Sequence, residues 1–200
     1  CPTLRACLAQ VEAWSDAHPG HVPVAIHIQF KDGPLIFPVE GQAVPERWTG
    51  PQMDALDAEI LAVFPRERII TPDDVRGDHR TLAEAVADRG WPTLGESRGQ
   101  VLFFMINGEP YRSTYLAGHA ALAGRVLFTN ATPGEPDASA VNIDDPVAEG
   151  ARIEQLVAAI EEHQPNWKGR EFDPGNAIIA YGWTQAELFV QALELAEAPT

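Results

Sequence analysis

The feature that most constrains the fold of this chain is a series of apolar runs, each of which ends in polar residues. The first run, 22–30, is rich in apolar and β-branched residues and stops at Lys31 and Asp32, just before Gly33-Pro34. Such a run is typical of a buried strand that delivers side chains to its carboxyl end. In α/β proteins, ligands and catalytic groups collect at that end. Since most strand ends carry no chemistry, Lys31 and Asp32 could also be only the solvated end of a strand.

Four further runs have the same form and alternate with helical patterns. These runs cover 68–71, 101–106, 124–128 and 139–143. Apolar residues at helical spacing predict helices over 3–17, 53–64, 81–90 and 147–162. Strands that alternate with helices form βα units and a parallel sheet. The sequence therefore predicts an α/β fold with about five strands, fewer than the eight strands and about 250 residues of a complete (β/α)8 barrel.

Closure of these strands into a barrel would bring the polar residues that follow them to one rim. Those residues are Lys31, Asp32, Asp73, Asp74, Asn107, Thr129, Asn130, Asp144 and Asp145. A lysine at such a rim can bind a phosphate as a compact point charge, and Asp32 could bind a cation. Paired acids after strands are also ordinary helix-capping residues, so Asp73 and Asp74 have two interpretations.

The six histidines are candidates for acid–base chemistry. His27 lies inside the first predicted strand and shares the parity of Gln29 and Lys31, which places it on their face. It is either a hydrogen-bonded histidine of the barrel or a catalytic group. His18 and His21 lie before this strand, where a structural role is expected. The solvated histidines are expected to be His79, His119 and His163.

Charge restricts the partners of this chain. The formal net charge is −15 at pH 7, and the sequence contains no cluster of Lys or Arg. This argues against nucleic acid as a partner and against adsorption to an anionic membrane through basic patches. No window reaches the roughly 18 apolar residues of a membrane span. An acidic surface does suit a protein that recruits a divalent cation.

The two cysteines, Cys1 and Cys7, lie close together at the start of the sequence. No second Cys or His pair follows them at zinc-ligand spacing. If 4–17 is one helix, a disulfide requires Cys1 to fold back from outside it, because six residues of helix rise about 9 Å, beyond disulfide reach. A local disulfide and two free thiols are both compatible with the sequence.

Motifs along residues 1–158 follow an order that points to one family. The motifs before residue 33 are Cys1-x-x-Leu4-x-x-Cys7-Leu8, Trp14 with His18-Pro19-x-His21-x-Pro23, and the strand that ends in Lys31-Asp32. The later motifs are Ile70-Thr71-Pro72-Asp73-Asp74-Val75-Arg76-Gly77, Thr81-Leu82-x-Glu84-Ala85-Val86, Gly90-Trp91-Pro92-Thr93-Leu94, Arg98-Gly99-x-Val101-Leu102-Phe103 and Gly124-Arg125-x-x-Phe128. Together they resemble the calcium-dependent phosphatidylinositol-specific phospholipase C family of secreted bacterial and fungal phosphodiesterases.

The resemblance implies a TIM-barrel-like phosphodiesterase fold, of which this chain would hold a part. In that family a pair of histidines performs acid–base chemistry while Ca²⁺ holds the phosphoryl oxygens, and the inositol 2-hydroxyl attacks to give a cyclic phosphate. By this resemblance, Lys31 and His27 are the candidate catalytic residues, and Asp32 and Gln29 are the candidate metal ligands. The expected substrate is a phosphoinositide or another small phosphodiester, met in transient contact with a membrane surface, outside the cell or in the periplasm.

Two departures from the family pattern affect the expected activity. The family's histidine-bearing segment, of the Gly-Thr-His-Asn-Ser-Tyr type, is not found in this sequence. The family also places a Glu two residues before the lysine, where this chain has Gln29, which offers a carbonyl oxygen but no charge to a calcium ion. The resemblance therefore predicts a fragment that lacks the catalytic histidine segment. The alternative is a non-catalytic remnant or binding module.

The last forty residues differ in character from the rest. The family resemblance divides the chain into a partial barrel at 1–160 and a divergent tail at 161–200. Within the tail, 176–193 weakly resembles a segment of periplasmic amino-acid-binding proteins, which would make the chain part of an ABC-transporter binding protein. The simpler interpretation is an amphipathic helix capped by Thr184.

Overall fold

The protein, described here as a computed structural model, is described over residues 3–33, 45–142 and 150–163. The helices in these ranges are α1 (Leu4–Ala17), α2 (Gly50–Leu61), α3 (Pro72–Arg76), α4 (Leu82–Asp88), α5 (Tyr111–Leu116) and α6 (Gly150–His163). The strands are β1 (Val24–Ile28), β2 (Ile69–Ile70), β3 (Val101–Met105) and β4 (Leu127–Thr129). The predicted α/β fold is confirmed. No described helix is long and apolar enough to cross a membrane.

β3 is the centre of a four-stranded parallel sheet. β1 runs along its whole length, from the pair Val24 and Val101 to the pair Ile28 and Met105. β2 pairs with the first two residues of β3, and β4 pairs with the last three. A strand has only two edges, so β2 and β4 share the edge opposite β1, and β2 ends where β4 begins. The predicted parallel βα units are thus present.

Among the described residues, the fifth predicted strand, 139–143, is reduced to one isolated β-bridge. Ala140 forms an isolated parallel bridge with Asn130, which follows β4. Ile143 lies outside the described residues, as do Asp144 and Asp145. The tail resemblance at 176–193 and its cap Thr184 also lie outside them, so the proposed division at residue 160 stays a prediction.

The core lies on both faces of β3. On one face Phe103 packs edge-on against Phe64, the rings 5.8 Å apart. On the other face Phe128 packs 4.7 Å from Trp91 and 5.3 Å from Phe104. A parallel strand covered on both faces reads as a continuous apolar run, and this is why 101–106 is the most apolar stretch of the chain.

Residues 72–76 form the short helix α3, which the apolar spacing of the sequence does not predict. Thr71 precedes it, Pro72 opens it, and the Asp74 Oδ2 accepts a hydrogen bond from the Thr71 N–H at 2.7 Å. Such a capping box satisfies backbone donors that a helix start leaves unpaired. α2 begins in the same way, with Thr49 and Gln52 as its capping box, and therefore starts earlier than its apolar spacing predicts.

Asp73 and Asp74 do not join the other polar strand ends at one rim. The Asp73 carboxylate accepts hydrogen bonds from the Gly124 N–H at 3.1 and 3.2 Å, just before β4 begins, and it pairs with Arg76 at 2.6 Å. Asp74 pairs with Arg66 at 2.8 Å. Asp73 therefore connects the residues after β2 to the residues before β4, whereas the Asp74 carboxylate bonds Thr71 and Arg66 beside β2. The rim prediction is wrong for both, and the capping interpretation is confirmed for Asp74.

Candidate active site

The carboxyl ends of β1 and β3 are joined by one side chain. The Asn107 Oδ1 accepts a hydrogen bond from the Phe30 N–H at 2.7 Å, and its Nδ2 donates to the Phe30 carbonyl at 3.1 Å. The amide acts as a substitute strand partner, because it offers one acceptor and one donor to the backbone. It extends the pairing of β1 beyond Ile28 and fixes the chain just before Lys31.

Asp32 is held through both of its oxygens. Its Oδ1 accepts a hydrogen bond from the Tyr111 hydroxyl at 2.5 Å, and its Oδ2 accepts one from the Trp48 N–H at 3.2 Å. The bond from Tyr111 lowers the pKa of the Asp32 carboxyl, and the same bond raises the pKa of the Tyr111 hydroxyl. Near neutral pH, Asp32 is therefore an ionised acceptor that ties three segments of the chain together.

Aromatic packing around Phe30 supports the segment that contains Lys31 and Asp32. Phe30 is 2% exposed. Its ring lies stacked 5.7 Å from Tyr111 and edge-on 4.7 Å from Trp48. The residue that precedes Lys31 is thus fixed by its backbone and by its side chain.

Lys31, His27 and Gln29 are all exposed. The ring of His27 has an edge-on contact with Phe104, its register partner on β3, at 5.9 Å. Within the described ranges, the Lys31 side chain has no hydrogen bond or ion pair, and the His27 ring has no hydrogen bond. Lys31 follows β1 at its carboxyl end, three residues beyond Ile28, and is available to a ligand.

The described residues do not fit a calcium site. Ca²⁺ takes about six to eight oxygen ligands. Asp32 is the charged candidate, and both of its oxygens already accept hydrogen bonds; Gln29 contributes no charge. Across 3–33, 45–142 and 150–163, no three His, Cys, Asp or Glu side chains come together in a way that could hold a metal ion.

An open cleft of about 480 Å³ lies beside the ends of β3 and β4. Its described walls include Glu109, Arg112, Asn130 and Thr132, but neither Lys31 nor Asp32. Arg112 forms a salt bridge with the buried Asp137, to which it donates two hydrogen bonds, at 2.9 and 2.5 Å.

Asn130 and its neighbour Thr129 are also engaged within the protein. The Asn130 amide donates to the Ile106 carbonyl at 3.1 Å and accepts from the Asn142 N–H at 2.9 Å. Thr129, a predicted rim residue, is buried and donates to Asp137 at 2.6 Å. Arg112 and Asn130 are therefore less available to a phosphate than the exposed Lys31.

Sequence reasoning located the rim residue Asn107 at a strand end but assigned it no role, and it missed Tyr111, Arg112 and Asp137. Asn107-Gly108 directly after an apolar run was the available signal, since an Asn there can replace a backbone partner. Tyr111 belongs to α5, which has only six residues and no apolar period of its own. Nothing local distinguishes it.

Three solved structures resemble this chain, and the chain spans less than half of the length of each. A Ca²⁺-dependent phosphatidylinositol-specific phospholipase C from Streptomyces antibioticus is 28% identical, with 66% of this chain and 44% of that one covered and a TM-score of 0.49. A calcium-dependent phosphoinositol-specific phospholipase C from a Gram-negative bacterium, Pseudomonas sp., is 24% identical, with coverages of 68% and 45% and a TM-score of 0.49. A second crystal form of the Pseudomonas protein is 23% identical, with coverages of 68% and 46% and a TM-score of 0.48.

Sequence comparison is more decisive. No curated protein matches the chain. The sequence profile described as "Phosphoinositide phospholipase C, Ca2+-dependent" matches residues 1–160. This range contains every motif that carried the resemblance, and it covers most of the 200 residues. The chain belongs to the Ca²⁺-dependent phosphoinositide phospholipase C family.

Proposed function

We propose that this protein serves the hydrolysis of phosphoinositide-type phosphodiesters and binds the phosphoryl group of the substrate through Lys31. The observation that carries the proposal is the position of Lys31, which is exposed, without an ion pair among the described residues, and placed between two anchored neighbours at the end of β1. An ammonium group there would neutralise the charge that develops on the non-bridging oxygens. Family membership supplies the class of substrate.

The proton transfers require more than this sequence offers. Cleavage of a phosphodiester by an internal hydroxyl needs one group to take a proton and another to return one. His27 is our candidate for one of these roles, because it lies on β1 on the side of Lys31 and its ring makes no hydrogen bond among the described residues. The family's histidine-bearing segment, of the Gly-Thr-His-Asn-Ser-Tyr type, is not found in the 200 residues. We propose that this chain alone binds the substrate headgroup without turning it over.

A second candidate function is that of a non-catalytic binding module. It is favoured by one specific observation, namely that the described residues bring together no group of side chains that could hold a metal ion. Both functions share the binding of the substrate headgroup. They differ only in whether supplying the family's histidine-bearing segment would restore hydrolysis of the phosphodiester. Binding is therefore the property to test first.

The direct test is an isothermal titration calorimetry experiment in which myo-inositol 1-phosphate is added to the full 200-residue chain. We expect Lys31→Met to weaken binding about fivefold, the factor that about 1 kcal/mol of an exposed ion pair gives. Arg98→Met is the matched control, because it removes the same charge at the opposite ends of β1 and β3, where Arg98 donates to the Gly20 carbonyl. Equal affinities for the three proteins would reject the role of Lys31.

Turnover is tested separately, by release of water-soluble inositol phosphate from vesicles that contain phosphatidylinositol. We expect no release by this chain with or without added calcium, because one half of the acid–base pair is missing. Release at a rate that falls on His27→Gln would show instead that the 200 residues contain a working site. This assay also examines contact with a membrane surface, which stays a prediction.

We further propose that the protein works in an oxidising compartment, outside the cell or in the periplasm. The support is Cys7, which is disulfide-bonded. Structural disulfides persist in secreted and periplasmic proteins and are rare in the reducing cytosol. Thiol labelling of protein from its native compartment should find no free thiol at Cys7, whereas full labelling would contradict this location.

A further inference from the structure

We propose that Tyr111 is a positioning residue that fixes the Lys31–Asp32 segment at the rim by holding the Asp32 carboxylate. Its structural part stands on the contacts of Asp32, and its functional part rests on the proposed role of Lys31. Asp32 is then an anchor of this segment rather than the charged ligand of a metal ion.

Lys31 is fixed from both sides. Before it, Asn107 holds the Phe30 backbone through two hydrogen bonds, of 2.7 and 3.1 Å. After it, Tyr111 and Trp48 hold the two oxygens of Asp32. A shift of the Lys31 backbone would break one of these pairs, while its side chain stays exposed. Groups held in this way lose less freedom when a ligand binds.

Tyr111 is itself rigidly placed. It is the first residue of α5, and its ring stacks 5.7 Å from the buried Phe30. Its hydroxyl donates to an ionised carboxylate, and such charge-assisted bonds are about twice as strong as neutral ones. Through this bond α5 is connected to the end of β1 and to the segment that precedes α2.

α5 contains a second tyrosine, Tyr115, which serves as a control for Tyr111. Tyr115 lies four residues after Tyr111 in the same helix, but it is fully buried and its hydroxyl donates to Asp57 at 2.7 Å. That hydroxyl also accepts from the Leu127 N–H at 2.9 Å, at the start of β4. Tyr115 therefore serves the core, and Tyr111 serves the rim. Loss of the hydroxyl at each position should have different effects.

The experiment compares Tyr111→Phe with Tyr115→Phe in the full chain. Three quantities are measured: amide hydrogen exchange by NMR, affinity for myo-inositol 1-phosphate, and the thermal unfolding midpoint. We expect Tyr111→Phe to speed exchange of the Trp48 amide by about tenfold, because its acceptor carboxylate loses one of two restraints. The Phe30 amide, which donates to Asn107, should keep its exchange rate.

The expected affinities separate the two tyrosines as well. Tyr111→Phe should weaken binding of the probe by about threefold to tenfold while the unfolding midpoint changes little. Tyr115→Phe should lower the midpoint and leave the affinity unchanged. Asp32→Asn keeps an oxygen that can accept the Tyr111 hydrogen bond, so it should restore part of the Trp48 protection that Asp32→Ala loses.

Each outcome decides something. Unchanged exchange of the Trp48 amide in Tyr111→Phe would overturn the positioning role, whatever the affinities are. If the wild-type chain fails to bind the probe, the proposed role of Lys31 falls, while the exchange rates still decide whether Tyr111 fixes the segment. Equal losses of affinity in Tyr111→Phe and Tyr115→Phe would mean that both act only through general stability, and this too would overturn the proposal.

Discussion

Asp32 and Tyr111 form a hydrogen bond whose two partners shift each other's pKa in opposite directions. The Tyr111 hydroxyl lowers the pKa of Asp32, as do the Trp48 N–H and the charge of Arg47 to a smaller extent. Asp32 raises the pKa of Tyr111 through the same bond. Both directions favour one state, a carboxylate that accepts from a neutral phenol.

The pH dependence of this bond follows from these signs. A lowered pKa means that the contribution of Asp32 is present above its unfolded-state value of about 3.9 and is lost as the pH falls through the folded-state pKa. A raised pKa means that Tyr111 contributes below about 10 and loses its contribution as the pH rises through its folded-state pKa. We expect the chemical shift of the Trp48 amide to be constant from about pH 5 to 9 and to move outside that window. A titration inside it would contradict the assignment.

Arg125 is a buried charge just before the start of β4. It is 4% exposed, pairs with Asp54 at 2.6 Å and Asp57 at 3.3 Å, and lies 4.3 Å above the ring of Tyr115. Burial raises the pKa of Asp57, and the hydrogen bonds from Tyr115 and Arg125 oppose that shift. The Gly124-Arg125 motif is therefore a structural signature at the amino end of β4, remote from the rim.

We predict that Arg125→Met lowers the free energy of unfolding by about 3–5 kcal/mol, since Asp57 is left buried without its cation. Asp54→Asn is the matched control, because it removes the exposed partner of the same guanidinium and should cost less than about 1 kcal/mol. Denaturant unfolding measures both. Similar losses for the two variants would contradict the account of a buried network centred on Asp57.

At the scale of secondary-structure elements, the connection into β3 depends on one glycine. Gly99 has a φ of +74°, and a Cβ at this position would lie 2.6 Å from the Pro19 carbonyl oxygen. Its N–H donates to the His21 carbonyl at 2.9 Å, which ties the start of β3 to the loop after α1. The close approach, and not only the dihedral angle, requires glycine here.

Gly118→Ala separates these two causes. Gly118 has a similar φ of +80°, but no atom lies within 4 Å of its added Cβ. Gly118→Ala should lower the free energy of unfolding by about 1–2 kcal/mol, the penalty of the left-handed conformation alone. Gly99→Ala should cost about 1–3 kcal/mol more, because backbone atoms must move apart. Equal changes in denaturation midpoint would show that the contact with Pro19 relaxes without cost.

The sequence predicted the elements with strong patterns and missed those defined by contacts. β1 and β3 follow from their apolar runs, and α1 from its periodicity. α3 was missed because five residues cannot show a period, although Thr71, Pro72 and Asp74 were a readable capping signal. The shared edge of β2 and β4 depends on register between distant segments, which no local pattern records.

The candidate site divides in the same way. Lys31 was located correctly at a strand end, because the apolar run and the charged residues that follow it are neighbours in the sequence. Its supports were not found, since Asn107 and Tyr111 contact Phe30 and Asp32 across 77 and 79 residues of chain. The partners of Asp32, Tyr111 and Trp48, are equally invisible in the local pattern, and the role of Asp32 as a metal ligand stays a prediction.

At the scale of the whole molecule, the chain belongs to a family of calcium-dependent phosphodiesterases, while its described residues hold no metal cluster. What they do hold is an anchored rim with one available lysine. Binding at Lys31 is therefore the property to measure, and the 480 Å³ cleft beside β3 and β4 is the competing location on the same side of the sheet.

The most direct measurement is a map of backbone amide shifts as myo-inositol 1-phosphate is added to the ¹⁵N-labelled chain. We expect the largest shifts at Lys31 and Asp32, extending to Tyr111, and we expect Lys31→Met to abolish most of them. Largest shifts at Glu109, Arg112 and Thr132, or no shifts at a high concentration of the probe, would contradict binding at Lys31.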